Sequence, residues 1–154
     1  MCNPMAFMAL TAVAGGVAAK GQYDSGKYQQ QVAQNNAFVQ TQMAKGARET
    51  GERNEMRHRL AVAKAKSGQR AALGASGRDV NSGSALDLIG DTAMIGELDA
   101  LTLRSNADLE AYQHQVGASN SIAQGRLDRL RGNYGSASTL LSTSGTVSEQ
   151  WYNR

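Results

Sequence analysis

Apolar side chains recur at helical spacing along two segments of the chain, and a stretch rich in Gly and Ser separates the segments. In the first segment these residues are Tyr28, Val32, Val39, Met43, Met56, Leu60, Ala63 and Ala71. In the second segment they are Leu98, Leu101, Leu109, Tyr112, Val116, Ala123, Leu127, Leu130 and Tyr134. Because side chains three or four residues apart share one face of an α-helix, the spacing predicts long helices over 25–74 and 84–134.

The intervening stretch, predicted as a turn over 75–83, has the residues of a helix stop followed by a helix start. The residues assigned to the turn and the cap are Gly74, Gly77, Gly83 and Ser84. Glycine adopts the left-handed backbone of a helix C-cap, and Ser84 with Asp87 forms a version of the capping box that opens a new helix. The predicted fold is all-α, an extended hairpin of two long, Gly-interrupted helices.

The first 20 residues form a predicted apolar N-terminal helix that contains no charge before Lys20. Its small residues are spaced for close helix packing, and those assigned to membrane or helix packing are Ala12, Gly15, Gly16 and Ala19. As a helix, the charge-free part would rise about 22 to 28 Å, slightly short of a ~30 Å hydrocarbon core. Two interpretations stay open: a segment that inserts into a membrane, and a helix that packs in a protein bundle.

Composition limits how much of this chain can be buried. It has 154 residues with 17 Gly and one Pro, and its aromatic residues are two Phe, five Tyr and one Trp. Large side chains dominate core burial, so the core should be thin and the chain should need neighbours to be stable, as an oligomer. The Ser/Thr/Gly-rich tail over 135–154 should be flexible, or ordered only by docking, with Trp151 and Tyr152 as an anchor.

Charge divides the two long segments. Residues 45–78 hold nine Lys and Arg against three Glu, net +6, whereas residues 84–112 hold six acids against one Arg, net −5. A hairpin would place these opposite charges side by side, within one chain or between chains. The basic run also allows a weak contact with DNA, but interleaved glutamates and the absence of aromatic residues between Phe38 and Tyr112 favour the paired interpretation.

Residues that would support catalysis are scarce. His58 and His114 stand in no motif with a nucleophile, and the chain has no phosphate-binding loop or metal-ligand spacing. Cys2 is the single cysteine, so an intramolecular disulfide is excluded. We therefore expect no enzyme activity, no cofactor, no catalytic residues and no metal site.

Two segments resemble the small internal virion proteins of short-tailed bacteriophages, also called ejection or internal core proteins. The first is the opening Met1-Cys2, followed by the charge-free stretch and a Gln/Asn/Ala-rich helix. The second, more specific segment comprises residues 70–77 (RAALGASG), 82–87 (SGSALD) and 96–106 (GELDALTLRSN). Together they cover roughly Met1 to Gly117, and the chain is short for the family.

The resemblance implies a protein packaged in several copies in the virion, in its interior or in the portal and tail lumen. Its implied partners are itself, as a homo-oligomer, and the other virion proteins of the portal, tail and internal core. The family is expelled with or before the genome and is thought to help build a conduit across the host outer membrane. Two alternatives remain: a static plug or lining of the portal and tail channel, and a cellular helical adaptor.

Overall fold

The computed structural model describes residues 4–152, and it describes the side chains of residues 9–149, 151 and 152. Two long helices, α1 (Pro4–Ala75) and α2 (Gly83–Tyr152), pack against each other, and the described residues contain no strand. The fold class is therefore all-α, as predicted.

The helices are longer and more continuous than the sequence pattern predicts. α1 joins residues 4–20 of the predicted apolar helix to the predicted helix over 25–74 without a break, and its glycines do not interrupt it; the first three residues of the predicted apolar helix lie outside the described residues. An isolated Gly costs a helix interior about 1 kcal/mol, and extending an existing helix is far easier than starting a new one. With no Pro after Pro4, nothing between the two predicted segments is strong enough to end α1.

The described part of the Ser/Thr/Gly-rich tail is helical, since α2 continues to Tyr152. Its hydroxyl groups donate hydrogen bonds to carbonyl oxygens one turn earlier, as in the bond of 2.7 Å from Thr143 Oγ1 to the oxygen of Thr139. These bonds allow Ser and Thr to sit inside a helix. The tail also contacts α1, because Thr139 Oγ1 donates to Gln22 Oε1 at 3.2 Å.

The turn between the helices has the hydrogen bonds of a Schellman motif. The amide of Gly77 donates to the oxygen of Gly74 at 3.0 Å, and the amide of Arg78 donates to the oxygen of Leu73 at 3.2 Å. Gly77 has a φ of +74° and Gly83 has a φ of +57°, values that favour glycine. Gly74 lies inside α1, and Ser84 is the second residue of α2.

The chain divides into two compact units. Unit 1 comprises Met1–Val39 and Gly117–Arg154, and unit 2 comprises Gln40–Val116. Each unit contains part of α1 packed against an antiparallel part of α2. In both units the buried surface consists mainly of small residues; the buried apolar residues are Ala19, Ala37, Ala44, Ala85, Ile89, Ala100, Ala111 and Ala118.

We call the contact surface between α1 and α2 the seam, and it keeps one register in each unit. In unit 1, Gly15 lies against Thr143, and Gly26 lies against Gly132. In unit 2, Gly51 lies against Ala107, and Gly96 lies against Val62. In both units, a step of eleven residues along α1 corresponds to a step of eleven residues back along α2. An eleven-residue period of 3.67 residues per turn keeps a contact stripe on one face of a nearly regular helix.

Candidate functional surfaces

The seam is a surface on which small side chains are a geometric requirement. A Cβ atom added to Gly26 would lie 3.0 Å from Cα of Gly132 and 2.9 Å from the carbonyl oxygen of Asp128. Both neighbours are backbone atoms, which cannot move aside as a flexible side chain can. Close approach of the two helices in unit 1 therefore depends on glycine at this position.

The seam takes only part of the small-residue pattern predicted for the N-terminal helix. Ala19 is buried and Gly15 contacts Thr143, so these two residues lie in the seam of unit 1. Ala12 is exposed, and a Cβ atom at Gly16 would meet nothing within 4 Å. The four residues therefore divide into an inward pair and an outward pair. Among the described residues, no helix has the length and apolar character needed to cross a membrane.

Most of the large apolar residues lie outside the seam, with Ile89 and Val62 as exceptions. In unit 2, a row along α2 is exposed; its members are Met94, Leu98, Leu101, Leu109, Tyr112 and Val116. In unit 1, the exposed residues of the same type on α2 include Leu127, Leu130, Tyr134 and Leu141. On α1, Tyr28 and Phe38 in unit 1 and Met56 and Leu60 in unit 2 are also exposed. Most of the residues whose spacing predicts the helices thus face away from the partner helix.

Spacing places the unit 2 row on the side of α2 opposite the seam. Leu98, Leu101, Leu109 and Tyr112 follow one another at three, eight and three residues, and Leu98 and Leu109 are separated by eleven residues. The seam side of the same helix carries Gly96, Ala100 and Ala111. α2 therefore has one small-residue face covered by α1 and one large apolar face exposed. We call the exposed face the outer row.

Charged residues border the seam of unit 2 and link its two helices. Glu55 is buried at 5% exposure, and Arg59 Nη2 lies 3.0 Å from its Oε1 atom and 2.6 Å from Oε1 of Glu97 on α2. Arg48 Nε lies 3.8 Å from Oδ1 of Asp108. The opposite charges of the two segments therefore meet within one chain, one of the two arrangements that the sequence left open.

Part of the basic run stays outside these pairs. Arg53 lies 4.0 Å from Glu49 on its own helix. In the described part of the chain, no ion pair joins Arg57 or Lys64 to an acidic residue. Arg53, Arg57, Leu60 and Lys64 are spaced by four, three and four residues, so they share one face of α1. This face, which we call the basic face, is exposed.

The histidines are separated in unit 2 and lie near different residues. His58 Nε2 is buried, has no hydrogen-bond partner among the described residues, and lies 3.9 Å from Asp99 Oδ2. His114 lines an open groove together with Met43, Ala47 and Leu103. No described group of three His, Cys, Asp or Glu residues has a geometry that could hold a metal ion.

The turn carries one carboxylate whose titration is perturbed. Asp79 accepts a hydrogen bond of 2.9 Å from the amide of Asn81 and one of 2.8 Å from the hydroxyl of Ser82. These bonds favour the charged form and lower the pKa of Asp79, the bond from Asn81 being the larger cause. Sequence reasoning assigned the turn to its glycines and Ser84 and missed this carboxylate, although Asp is a common turn residue because its side chain can accept a hydrogen bond from the backbone amide two residues on.

Sequence reasoning also missed the seam as a surface. Its signal was present in the small residues at intervals of eleven, such as Gly15, Gly26 and Ala37 on α1. No protein-family model, curated protein or solved structure matches this chain.

Proposed function

We propose that this chain is a bacteriophage internal virion protein of the ejection type. It is packaged in several copies near the portal and tail axis and is released into the host envelope, where it helps to form a conduit for the genome. Its partners in this role are further copies of itself, the virion proteins of the portal, tail and internal core, and the host outer membrane.

One observation carries the proposal: the chain covers its small residues and exposes its large apolar ones. Ala100 and Ala111 on the seam side of α2 are fully buried, whereas Leu98 and Tyr112 are 57% and 62% exposed. An exposed, ordered row of large apolar side chains on a helix is typical of a surface that another molecule covers. A subunit that completes its burial only in an assembly fits a protein stored and delivered in several copies.

Two further features support delivery rather than storage alone. A seam of Ala and Gly buries little apolar area per residue, so separating the helices costs less than in a core of Leu and Phe. A chain that passes through a narrow tail must separate its packed elements. The resemblance of residues 70–77, 82–87 and 96–106 to the internal virion proteins names the biological setting.

The second candidate function is a static component that plugs or lines the portal and tail channel. The same exposed apolar surfaces favour it, because they also suit a permanent position in a protein assembly. The two candidates differ in the fate of the protein after infection.

The experiment that separates them uses an Ala12→Asp phage. Ala12 is exposed and outside the seam, so the new carboxylate should leave the hairpin intact. A charge near the bilayer centre costs about 2.5 to 3.5 kcal/mol for each inserted copy. If the N-terminal helix inserts in the host membrane, complete DNA-filled particles should form but the protein should no longer reach the envelope of infected cells.

The matched control is Ala65→Asp, which adds the same charge to another exposed alanine of α1. Fractionation of infected cells should find the control protein in the envelope at the wild-type level. If wild-type protein stays in the spent particle, the conduit is wrong and the plug becomes the function. If Ala12→Asp prevents assembly of filled particles, the N-terminal helix acts inside the virion instead.

A further inference from the structure

We propose that the outer row of α2 in unit 2 packs against the basic face of α1 in a second copy of this chain. The contact is head-to-tail, with α2 of each copy on α1 of the next. This inference gives a geometry to the self-association in the proposed function, but it does not depend on ejection into a host.

The outer row has the residue spacing of a surface that contacts another helix. Leu98 and Leu109 are eleven residues apart, as are Leu101 and Tyr112, so the outer row repeats with the same period as the seam. A row with this period runs along one side of a helix and matches another helix of equal period. α1 and α2 of this chain both have this period. A second copy of the chain therefore offers a helix that matches the outer row.

Charge indicates which helix of the second copy the outer row contacts. The part of the chain that bears the outer row is acidic, with six acids against one Arg over residues 84–112. Packing two outer rows together would bring the acidic segments of two copies side by side, including Asp87 and Asp91, which no ion pair neutralises in the described part of the chain, and this is unfavourable. The basic face presents Arg53, Arg57 and Lys64 to the same acidic surroundings, which is favourable.

Charges left over from pairing within the hairpin strengthen this choice. Glu97, Asp99 and Asp108 already lie near basic residues or His58 of their own chain. Asp87 and Asp91 have no ion-pair partner in the described part of the chain, and with Met94 and Leu98 they continue the outer row toward the turn. On the basic face, Arg57 and Lys64 have no ion-pair partner among the described residues. Two unpaired acids, Asp87 and Asp91, therefore lie on the outer row, and two unpaired cations lie on the basic face.

The basic face and the outer row also match in shape and in their positions along the helix axes. Leu60 interrupts the cations of the basic face and is 65% exposed, and Met56 beside it is 64% exposed. Val62 lies against Gly96 within the hairpin, so Leu60 and Leu98 are at the same level of unit 2. Copies related by rotation about an axis parallel to the helices keep residues of equal level together. Leu60 of one copy therefore meets Leu98 of the next, and the aliphatic stems of Arg57 and Lys64 lie at the levels of Leu101 and Met94.

A head-to-tail contact has a consequence that a symmetric dimer lacks. Each copy keeps one free basic face and one free outer row, so addition continues until the chain of copies closes into a ring. Such a ring is the arrangement that a component of an axial channel needs.

The test uses purified protein with Cys2 replaced by Ser, and a short bis-maleimide that joins two thiols. Two single-cysteine proteins, Leu60→Cys and Leu98→Cys, are treated separately and as an equal mixture. Both positions are exposed, so each protein should keep the helix content of the wild type by circular dichroism. The control is a mixture of Leu98→Cys with Asn106→Cys, since Asn106 is exposed on α2 and borders the seam beside Ala107, away from the outer row.

The expected result is covalent dimers in the Leu60→Cys and Leu98→Cys mixture, with at least a five-fold lower yield in either protein alone and in the control. A protein with both cysteines should give a ladder of products that ends at one closed species. Dimers from Leu98→Cys alone would show that two outer rows pack together and would overturn the proposal. Absence of products at every concentration would also overturn it, because a second copy would then not be the occupant.

The outcome is independent of the infection experiment. Cross-linked rings together with protein retained in the spent particle would support this contact and reject the conduit. Delivery to the host envelope without cross-linking would support the conduit and reject this contact.

Discussion

Gly26 and Gly132 show why single residues decide how closely α1 and α2 approach. Their backbones are in direct contact in unit 1, with room for hydrogen atoms but not for side chains. The same element contains Gly21, whose surroundings are open, since an added Cβ atom there would meet nothing within 4 Å. Gly21 and Gly26 lie in the same helix and differ in what surrounds them.

Alanine at Gly26 and alanine at Gly21 should therefore have different effects on stability. Gly26→Ala forces the backbones apart and should lower the free energy of unfolding by about 1 to 3 kcal/mol, the usual range for overpacking. Gly21→Ala should leave it unchanged or raise it by up to about 1 kcal/mol, because Ala is the better helix former. Urea unfolding followed by circular dichroism at 222 nm measures both, and equal effects would contradict the backbone contact.

Asp79 provides a residue-scale prediction about pH. Its carboxylate accepts two hydrogen bonds in the folded turn, which lowers its pKa below the ordinary value of 3.8. A lowered pKa in the folded state means that the contribution to stability is present above the ordinary pKa and is lost as the pH falls through the folded pKa. NMR titration should find the Asp79 pKa below 3.8, and Ser82→Ala should raise it toward that value.

At the scale of elements, Arg59 connects the two helices of unit 2. Its guanidinium contacts Glu55 on its own helix and Glu97 on α2. Glu55 is buried, whereas the side chain of Glu97 is 51% exposed. The Arg59–Glu55 ion pair should therefore contribute more to stability than the Arg59–Glu97 ion pair. Removing the partner of a buried charge destabilises a protein strongly, whereas removing the partner of an exposed charge has a small effect.

Arg59→Met should lower the free energy of unfolding by about 1 to 3 kcal/mol, since it leaves the Glu55 carboxylate buried without its cation. Glu97→Gln removes only the exposed pair and should cost less than about 1 kcal/mol. In the double variant Arg59→Met with Glu55→Leu, much of the loss should be recovered, because no unpaired charge remains buried. Chemical unfolding of the three proteins tests this order, and equal losses for the first two would contradict it.

At the scale of the whole molecule, both units rely on a seam of small side chains. Among the described residues, no large side chain is fully buried, and Ile89 is the largest member of the buried apolar set. Burial of apolar area contributes about 25 cal/mol per Å², so Ala and Gly contribute little. Stability should then come largely from contacts that the chain makes with other copies.

The melting temperature should accordingly rise with protein concentration. A binding partner adds about 2.7 kcal/mol to stability when it is present at about one hundred times its dissociation constant. Melting curves over a hundred-fold concentration range, with mass measured by sedimentation, should show both quantities rising together. Leu98→Asp should remove this dependence and Asn106→Asp, at an exposed position beside the seam, should preserve it. A concentration-independent, cooperative melt of the monomer would contradict the assembly.

The sequence by itself determined the helical class, because apolar residues such as Tyr28, Val32, Leu98 and Leu101 recur at helical spacing. It also determined the turn region, because left-handed backbone at Gly77 and Gly83 requires residues without a side chain. These features depend on local chemistry, which a single segment contains.

Only the tertiary structure decided which face of each helix is covered. The sequence pattern suggests that the largest apolar residues form the core. However, the backbones approach closely at Gly26 and Gly132 and leave room only for small side chains, so α1 and α2 meet on the Ala and Gly face. The structure likewise decided that the tail is helical to Tyr152, because hydrogen bonds and contacts with α1 there join residues far apart in the chain. Which residues such contacts bring together depends on both helices at once, and neither segment alone contains that information.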